Sequence, residues 1–283
     1  MPHTEGPYAG ATFALLTMHE KERILAPRFS AELRARVVLA GPYDTDRLGT
    51  FTRETPRAGS QLEAARRKAE LACDLTGSPL GLGSEGSFAP GPFGFGSMNR
   101  EIVVLVDRAR SLEIVGGATK AERSAQGTFT EWTDLEALAR ELSFPEQGLV
   151  LRPDGPSGMP LFKEARDFAS LATAFVTCRS HAHAGEVFVE RDRRAHRNPE
   201  RRRTIASACD DLLSRLRRAC PRCEAPGFGV ARRLEGLRCR ICDAPTGDWY
   251  AEEWRCVHCK AVEQVPRMDS RRADPTHCPF CNP

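Results

Sequence analysis

The sequence predicts an α/β fold: a mostly parallel or mixed sheet with flanking helices, followed by a small C-terminal double zinc-ribbon module. Three observations predict it. Up to residue 218, apolar runs of strand length alternate with stretches of helical periodicity. From residue 219 the composition shifts to cysteine, proline and arginine. In that tail, eight of the chain's eleven cysteines fall into four Cys-x-x-Cys pairs, a spacing that suits metal ligation better than disulfides where no export signal is read. The expected division is an α/β domain over 1–218 and a zinc module over 219–283.

In chain order, residues 12–17, 36–40, 79–83, 101–107, 112–116, 148–152 and 185–190 read as strands, and 21–33, 60–76, 133–142, 165–177 and 199–218 as helices. The second helix opens on Ser60 with Glu63 three residues on, a capping box, and Gly77 closes it. The last opens Asn198-Pro199, an N-cap followed by proline at the first helical position. The connection between 107 and 112 is too short for a crossover, so that pair is expected to be antiparallel. The Gly/Pro-rich 88–99 reads as a loop and 118–131 as a weakly patterned excursion.

With 283 residues, 41% of them apolar, the chain is long enough for one large domain and a small one. No run approaches the ~18 apolar residues of a membrane helix, and residues 1–20 lack a basic segment leading into an apolar one. A cytoplasmic protein with no membrane partner is expected.

The zinc ligands are expected to be Cys220, Cys223, Cys239, Cys242, Cys256, Cys259, Cys278 and Cys281, in pairs separated by 15, 13 and 18 residues. Each pair forms a knuckle and two knuckles make a tetrahedral thiolate site, so the eight account for two structural Zn²⁺ with no position open for water. Spacing leaves the pairing open between sequential ribbons and a nested arrangement, with the second and third pairs inside the first and fourth. Trp249, Tyr250 and Trp254 either pack the ribbons or stack on bases. Cys73, Cys178 and Cys209 lie in expected helices and read as core.

Polar clusters follow four expected strands, at 17–23, 44–54, 84–88 and 191–201. In an open α/β sheet ligands bind beyond the carboxyl ends of the strands, so the clusters are expected to share one cleft. Asp44, Asp46, Glu54 and Glu85 are hard oxygen ligands suited to Mg²⁺ or Mn²⁺. Lys21, Lys68, Arg194, His196, Arg197 and Arg201 are donors for phosphate oxygens, aided by the N–H groups at the helix start after Asn198. Each has a plainer alternative. Asp44-Thr45-Asp46 is also a turn sequence, Glu85 a solvated loop acid, Lys68 a snorkelling side chain, and His19 a structural residue. His181 and His183 have no ligand-like setting.

Charge is concentrated: residues 191–218 carry ten arginines and four acids, net +6, against −4 over 1–190 and +1 over 219–283. Part of that basic run is expected to be a solvated face.

The motifs Asp-Thr-Asp-x-Leu-Gly-Thr-Phe at 44–51, Ser-Glu-Gly-Ser-Phe at 84–88, Arg-Ala-His-x-Asn-Pro-x-Arg at 194–201 and the terminal Cys-x-x-Cys-Asn-Pro at 278–283 make the chain resemble a bacterial family of unknown function over nearly its whole length. A second, remote resemblance rests on motif order. Thr17 to Lys21, Ala64 to Ala69 with Lys68, Gly83 to Ser87 with Glu85, and Ala195-His196-Arg197 follow the order seen in the inosine-triphosphate pyrophosphatases. The first turn is a residue short and has His for Asn, the helix lacks an asparagine, and one Glu stands for paired Asp. That resemblance implies metal-dependent attack of water on a nucleoside triphosphate. It would make Glu85 metal ligand or base and put Lys21, Lys68, His196 and Arg197 on the phosphates; the chemistry of the residues themselves adds Asp44 and Asp46, with Lys68, to the expected catalytic set and Arg194 and Arg201 to the phosphate contacts.

The leading expectation is a Mg²⁺- or Mn²⁺-dependent phosphohydrolase acting on a nucleotide or other phosphorylated small molecule. The zinc module would serve as lid, dimerisation or recognition element, with a homodimer among the expected assemblies. The alternative is a nucleic-acid-binding protein that uses the basic 191–218 helix and the ribbons without catalysis.

Overall fold

The computed structural model describes residues 6–41, 59–92, 96–123, 125–269 and 271–283. Its chain order begins β1 (Thr12–Leu15), α1 (Glu22–Leu33), β2 (Arg36–Leu39), α2 (Gln61–Thr76), β3 (Leu80–Pro90), β4 (Ser97–Asp107) and β5 (Leu112–Glu122). It continues with β6 (Gln126–Phe129), α3 (Trp132–Glu141), β7 (Leu149–Pro153), α4 (Phe168–Ser180), β8 (Val187–Arg191) and α5 (Pro199–Leu216). Strands β9 (Phe228–Glu235), β10 (Trp249–Cys256) and β11 (Val262–Pro266) complete it. Each expected strand and helix has a counterpart, although β3 and β5 run on to Pro90 and Glu122, well past the ends expected at 83 and 116, and the α/β class with a cysteine-built C-terminal module holds.

The large sheet is mixed, in the order β2-β1-β3-β4-β5. β1 runs parallel to β2 and β3, while β3-β4 and β4-β5 are antiparallel. Helix α2 covers one face; its cap is the expected reciprocal pair, Ser60 accepting from the Glu63 N–H, with Gly77 at φ 69° ending it. Helices α1 and α5 cover the other face over a core of Phe13, Leu25, Phe29, Leu105, Ile205 and Leu212. Asn198 caps α5 by accepting from the Arg201 N–H.

Glycine sets how closely these layers approach. A Cβ at Gly83 of β3 would lie 1.9 Å from the Ala65 carbonyl oxygen of α2, and one at Gly81 2.0 Å from that of Ala69. The same strand therefore reads Gly-Leu-Gly-Ser-Glu-Gly-Ser, which sequence alone takes for a loop after residue 83. It is a buried central strand with helices on both faces, and its small residues answer to close packing rather than to turning.

Three expectations are corrected. Residues 88–99 are not one loop: β3 and β4 stay in register from Leu80↔Asp107 to Pro90↔Ser97. The excursion at 118–131 holds the end of β5 and all of β6. The strands do not form one sheet, because β7 and β8 join β6 in a separate antiparallel sheet ordered β6-β8-β7. That sheet has its own core with α3 and α4, built from Leu135, Leu151, Leu171, Phe175, Val187 and Val189.

The zinc module is an antiparallel sheet of β9, β10 and β11, fastened to the end of α5. Gly227 donates to the Arg215 carbonyl at 3.0 Å and Phe228 to that of Arg218 at 3.3 Å, and Val257 packs onto the large core. The tryptophans pack the module. Trp254 lies under Arg218, and the guanidinium groups of Arg233 and Arg267 each stand 4.7 Å from the ring centre of Trp249.

Candidate functional site

β1 is a short strand beside a long one. It ends at Leu15 opposite Leu82, while β3 runs on through Ser84, Glu85 and Gly86. Alongside that extension sits the turn from β1 to α1. Its Lys21 donates to the Ser84 carbonyl at 3.0 Å and to the Ser84 hydroxyl at 3.2 Å. From the α2 side Lys68 forms an ion pair with Glu85, so it reaches into the site rather than snorkelling to solvent. From the α5 side Arg201 Nε donates to Glu101 Oε1 at 2.7 Å, Glu101 lying opposite Gly86 in the ladder. A Cβ on Gly86 would be 2.1 Å from that carboxylate, so only glycine makes room for the pair. At one side the rings of His19 and His196 stack at 5.4 Å.

All five charged groups, Lys21, Lys68, Glu85, Glu101 and Arg201, are buried. Three cations face two carboxylates in low dielectric, and the field shows in the neighbours. Burial first, and then Arg201, pull Lys21 down from 10.5 to about 7. Burial, and then the charges of Lys21 and Arg201, hold His19 neutral down to about 2. His196 is lowered too, by burial and then by Arg194, and its Nδ1 is buried with no hydrogen-bond partner. Such a group favours an anion: negative charge entering it opposes each of these shifts.

Among the expected phosphate ligands, Lys21, His196 and Arg201 converge here, as do Lys68 and Glu85. Arg194 and Arg197 do not. Arg194 is held by Asp192, by Glu164 at 2.7 Å and by the Lys163 carbonyl at 2.6 Å, and Arg197 donates to the Ala165 carbonyl. Both tie the β8–α5 connection to the second sheet, where local acids and carbonyls are nearer than any shared ligand. Arg191 pairs with Glu200 at 3.0 Å, so much of the basic run is internal rather than a solvated face. Glu101 is the member that sequence reading missed; it follows Asn99 and Arg100 at the head of an apolar run, where a glutamate has no motif to mark it. Glu85 is not a solvated loop acid but a strand residue bound to a lysine. Asp44, Asp46 and Glu54 lie outside the described residues.

Mg²⁺ or Mn²⁺ at the acidic cleft is not shown among the described residues, and three of the four expected ligands, Asp44, Asp46 and Glu54, lie outside them. Glu85 and Glu101 are each committed to a cation, and the groups of three or more metal-ligand side chains found among the described residues are both all-cysteine.

Those two groups fit zinc. Cys220, Cys223, Cys256 and Cys259 form one, and Cys239, Cys242, Cys278 and Cys281 the other, with ligand atoms in each within 4.8 Å of one another. Zn–S bonds of about 2.3 Å at tetrahedral angles put sulfurs about 3.8 Å apart. Four cross-knuckle Sγ–Sγ distances run 3.7, 3.7, 3.9 and 3.5 Å. Backbone N–H groups of Cys242 and Ile241 favour the thiolate at Cys239, while hydrogen bonding among the four sulfurs raises Cys281 of the same centre. The pairing is neither sequential nor nested: the first knuckle joins the third and the second joins the fourth. Geometry forces this, because antiparallel β9-β10 carries the third knuckle back beside the first. Cys73, Cys178 and Cys209 are buried core thiols, as expected.

No curated protein and no solved structure matches the chain, and the resemblance to the inosine-triphosphate pyrophosphatases has no support beyond motif order. A family does match, over residues 68–283. That span takes in Lys68, Glu85, Glu101, Arg201 and all eight zinc-site cysteines, and by it the chain belongs to the family described as Domain of unknown function (DUF6671).

Proposed function

We propose that the protein recognises the phosphate of a nucleotide or other phosphorylated small molecule at the Lys21–Lys68–Arg201 cluster, and that the two zinc centres are structural. One observation carries the reading: Lys21, Lys68 and Arg201 meet two carboxylates, all five buried, at the carboxyl end of β1, so an anion entering there meets charges that water screens little and favours the charged form of Lys21. Lys21 and Arg201 would take phosphate oxygens, and neutral His196 would present a ring nitrogen to the same group. Lys68 fixes Glu85, and Gln61 holds the Glu85 carbonyl at 2.8 Å, so the strand is rigid where the ligand approaches.

Hydrolysis of a phosphoanhydride is the reaction proposed for the bound ligand. Charge developing on the phosphoryl oxygens would meet preorganised cations, and Glu85 is the carboxylate beside them.

The experiment is calorimetric titration of the zinc-loaded full chain with inorganic phosphate, pyrophosphate and nucleoside triphosphates, alongside a phosphate-release screen with Mg²⁺ and Mn²⁺. Binding that is lost in Lys21→Met, and in Arg201→Met/Glu101→Leu, in protein that still unfolds cooperatively in urea supports the site. Equal binding by wild type and both variants rejects it. Turnover that survives Glu85→Gln removes that residue from the reaction while leaving the binding reading in place.

A further inference from the structure

The two zinc centres differ in setting. The first is packed against the protein, with Cys220 and Cys256 buried beside Phe228 and Val257 set into the large core. The second stands away from that contact. Its Cys242 and Cys281 are exposed, and its knuckle tips carry Ile241 and Phe280, each 73% exposed. Structural zinc needs neither apolar tip to face water.

Beside this second centre lies an open groove of about 340 Å³. Arg240, Arg267, Arg272 and His277 line it, with Asp248 and Asp274. These residues come from separate stretches of sequence, gathered by the second zinc site and by the bridge between Cys239 and Ala273. The arginines are partnered, Arg240 with Asp274 at 3.3 Å, Arg267 with Asp269 and Arg272 with Asp243. Five of these six side chains are about half exposed or more, Arg267 being the exception at 20%. Ion pairs so screened exchange partners at little cost. Arg267 is also braced against Trp249, which holds its fork in place.

We propose that this distal zinc centre is a contact for single-stranded nucleic acid, with Arg240, Arg267 and Arg272 taking successive backbone phosphates and Phe280 stacking on a base. Guanidinium groups along an open groove match phosphates spaced along a backbone. An aromatic ring projecting from a rigid knuckle reaches a base only where that base is unpaired. The basic 191–203 stretch, which the sequence offers for this purpose, is turned inward at Arg191, Arg194 and Arg201. The proposal is independent of the buried phosphate cluster.

The test is fluorescence anisotropy of labelled oligo-dT and oligo-U with the zinc-loaded full chain, between about 50 and 200 mM salt. Three phosphate contacts on a single strand predict a log–log salt slope of about −2. In Arg240→Ala/Arg272→Ala the slope should become shallower by about 1.4 and the affinity fall about tenfold or more. Phe280→Ala should lose about five- to a hundredfold. Arg203→Ala, on the exposed side of α5, should change neither. Zinc content of every variant, measured by elemental analysis, keeps loss of fold apart from loss of contact. No binding at the lowest salt, binding unchanged in the groove variants, or loss in Arg203→Ala would each overturn the proposal. So would equal competition by poly-glutamate, which would make the groove a site for an acidic protein.

Discussion

Arg201, in the first turn of α5, closes a 2.7 Å bond on Glu101 of β4, one hundred residues earlier in the chain, and neither side chain keeps more than 1% exposure. The pair fastens the helix that follows the second sheet onto the first. It thereby brings the 195–201 segment to the end of β1, where Lys21 and Lys68 wait.

Breaking that pair from one side strands a buried charge. Arg201→Met is expected to lose about 3–5 kcal/mol of stability, measured by urea unfolding. Arg201→Met/Glu101→Leu, which removes both charges, should recover most of it. A double variant as unstable as the single one would mean that packing, not charge, sets the cost.

Lys21 gives the fold a pH dependence with a definite sign. Its pKa falls from 10.5 to about 7 on folding, by burial and then by Arg201. Between those values the unfolded chain holds more protons than the folded one, so stability rises with pH across the interval. The penalty for burying the ammonium is fully present below about pH 7. Unfolding free energies taken from pH 7 to about 9.5 should climb in wild type and climb less in Lys21→Met. Saturating inorganic phosphate should also flatten the wild-type rise, since an anion favours the charged amine. The same slope in wild type and variant would assign the dependence elsewhere.

His19 acts at the other end of the scale. Neutral in the fold down to about 2 against an ordinary 6.5, it takes up a proton on unfolding in acid. Stability is therefore lost as pH falls below about 6.5, and His19→Asn should reduce that acid loss. An acid transition that is unmoved by the substitution would count against burial of a neutral imidazole.

Crossed zinc pairing has a stoichiometric signature. Wild type should bind two ions, and Cys223→Ser/Cys256→Ser should keep one, because both cysteines serve the same centre. Sequential or nested knuckles would leave that double variant with neither site intact. Elemental analysis after dialysis separates the outcomes.

Gly83 tests the packing between α2 and β3. A Cβ there would stand 1.9 Å from the Ala65 carbonyl oxygen, so Gly83→Ala must push the helix away. The expected loss is about 1–3 kcal/mol, with weaker phosphate binding because the same helix carries Lys68. Calorimetry on the variant reads both.

The sequence by itself determined what depends on neighbours along the chain. Ser60 with Glu63, Gly77, and Asn198 with Pro199 announce helix ends whose caps are local hydrogen bonds. Cys-x-x-Cys announces a knuckle because two thiols three residues apart already share a turn. The tertiary structure alone decided what depends on residues far apart. Which knuckles share a zinc follows from the β9-β10 register. The split into two sheets follows from β6 pairing with β8, which four residues of weak pattern do not foretell. Ser84-Glu85-Gly86 reads as a turn until two helices are laid against it. Glu101 and Arg201 carry no sign of each other, because a charge pair buried across a hundred residues is selected by the shape of the space around it and not by any spacing in the chain.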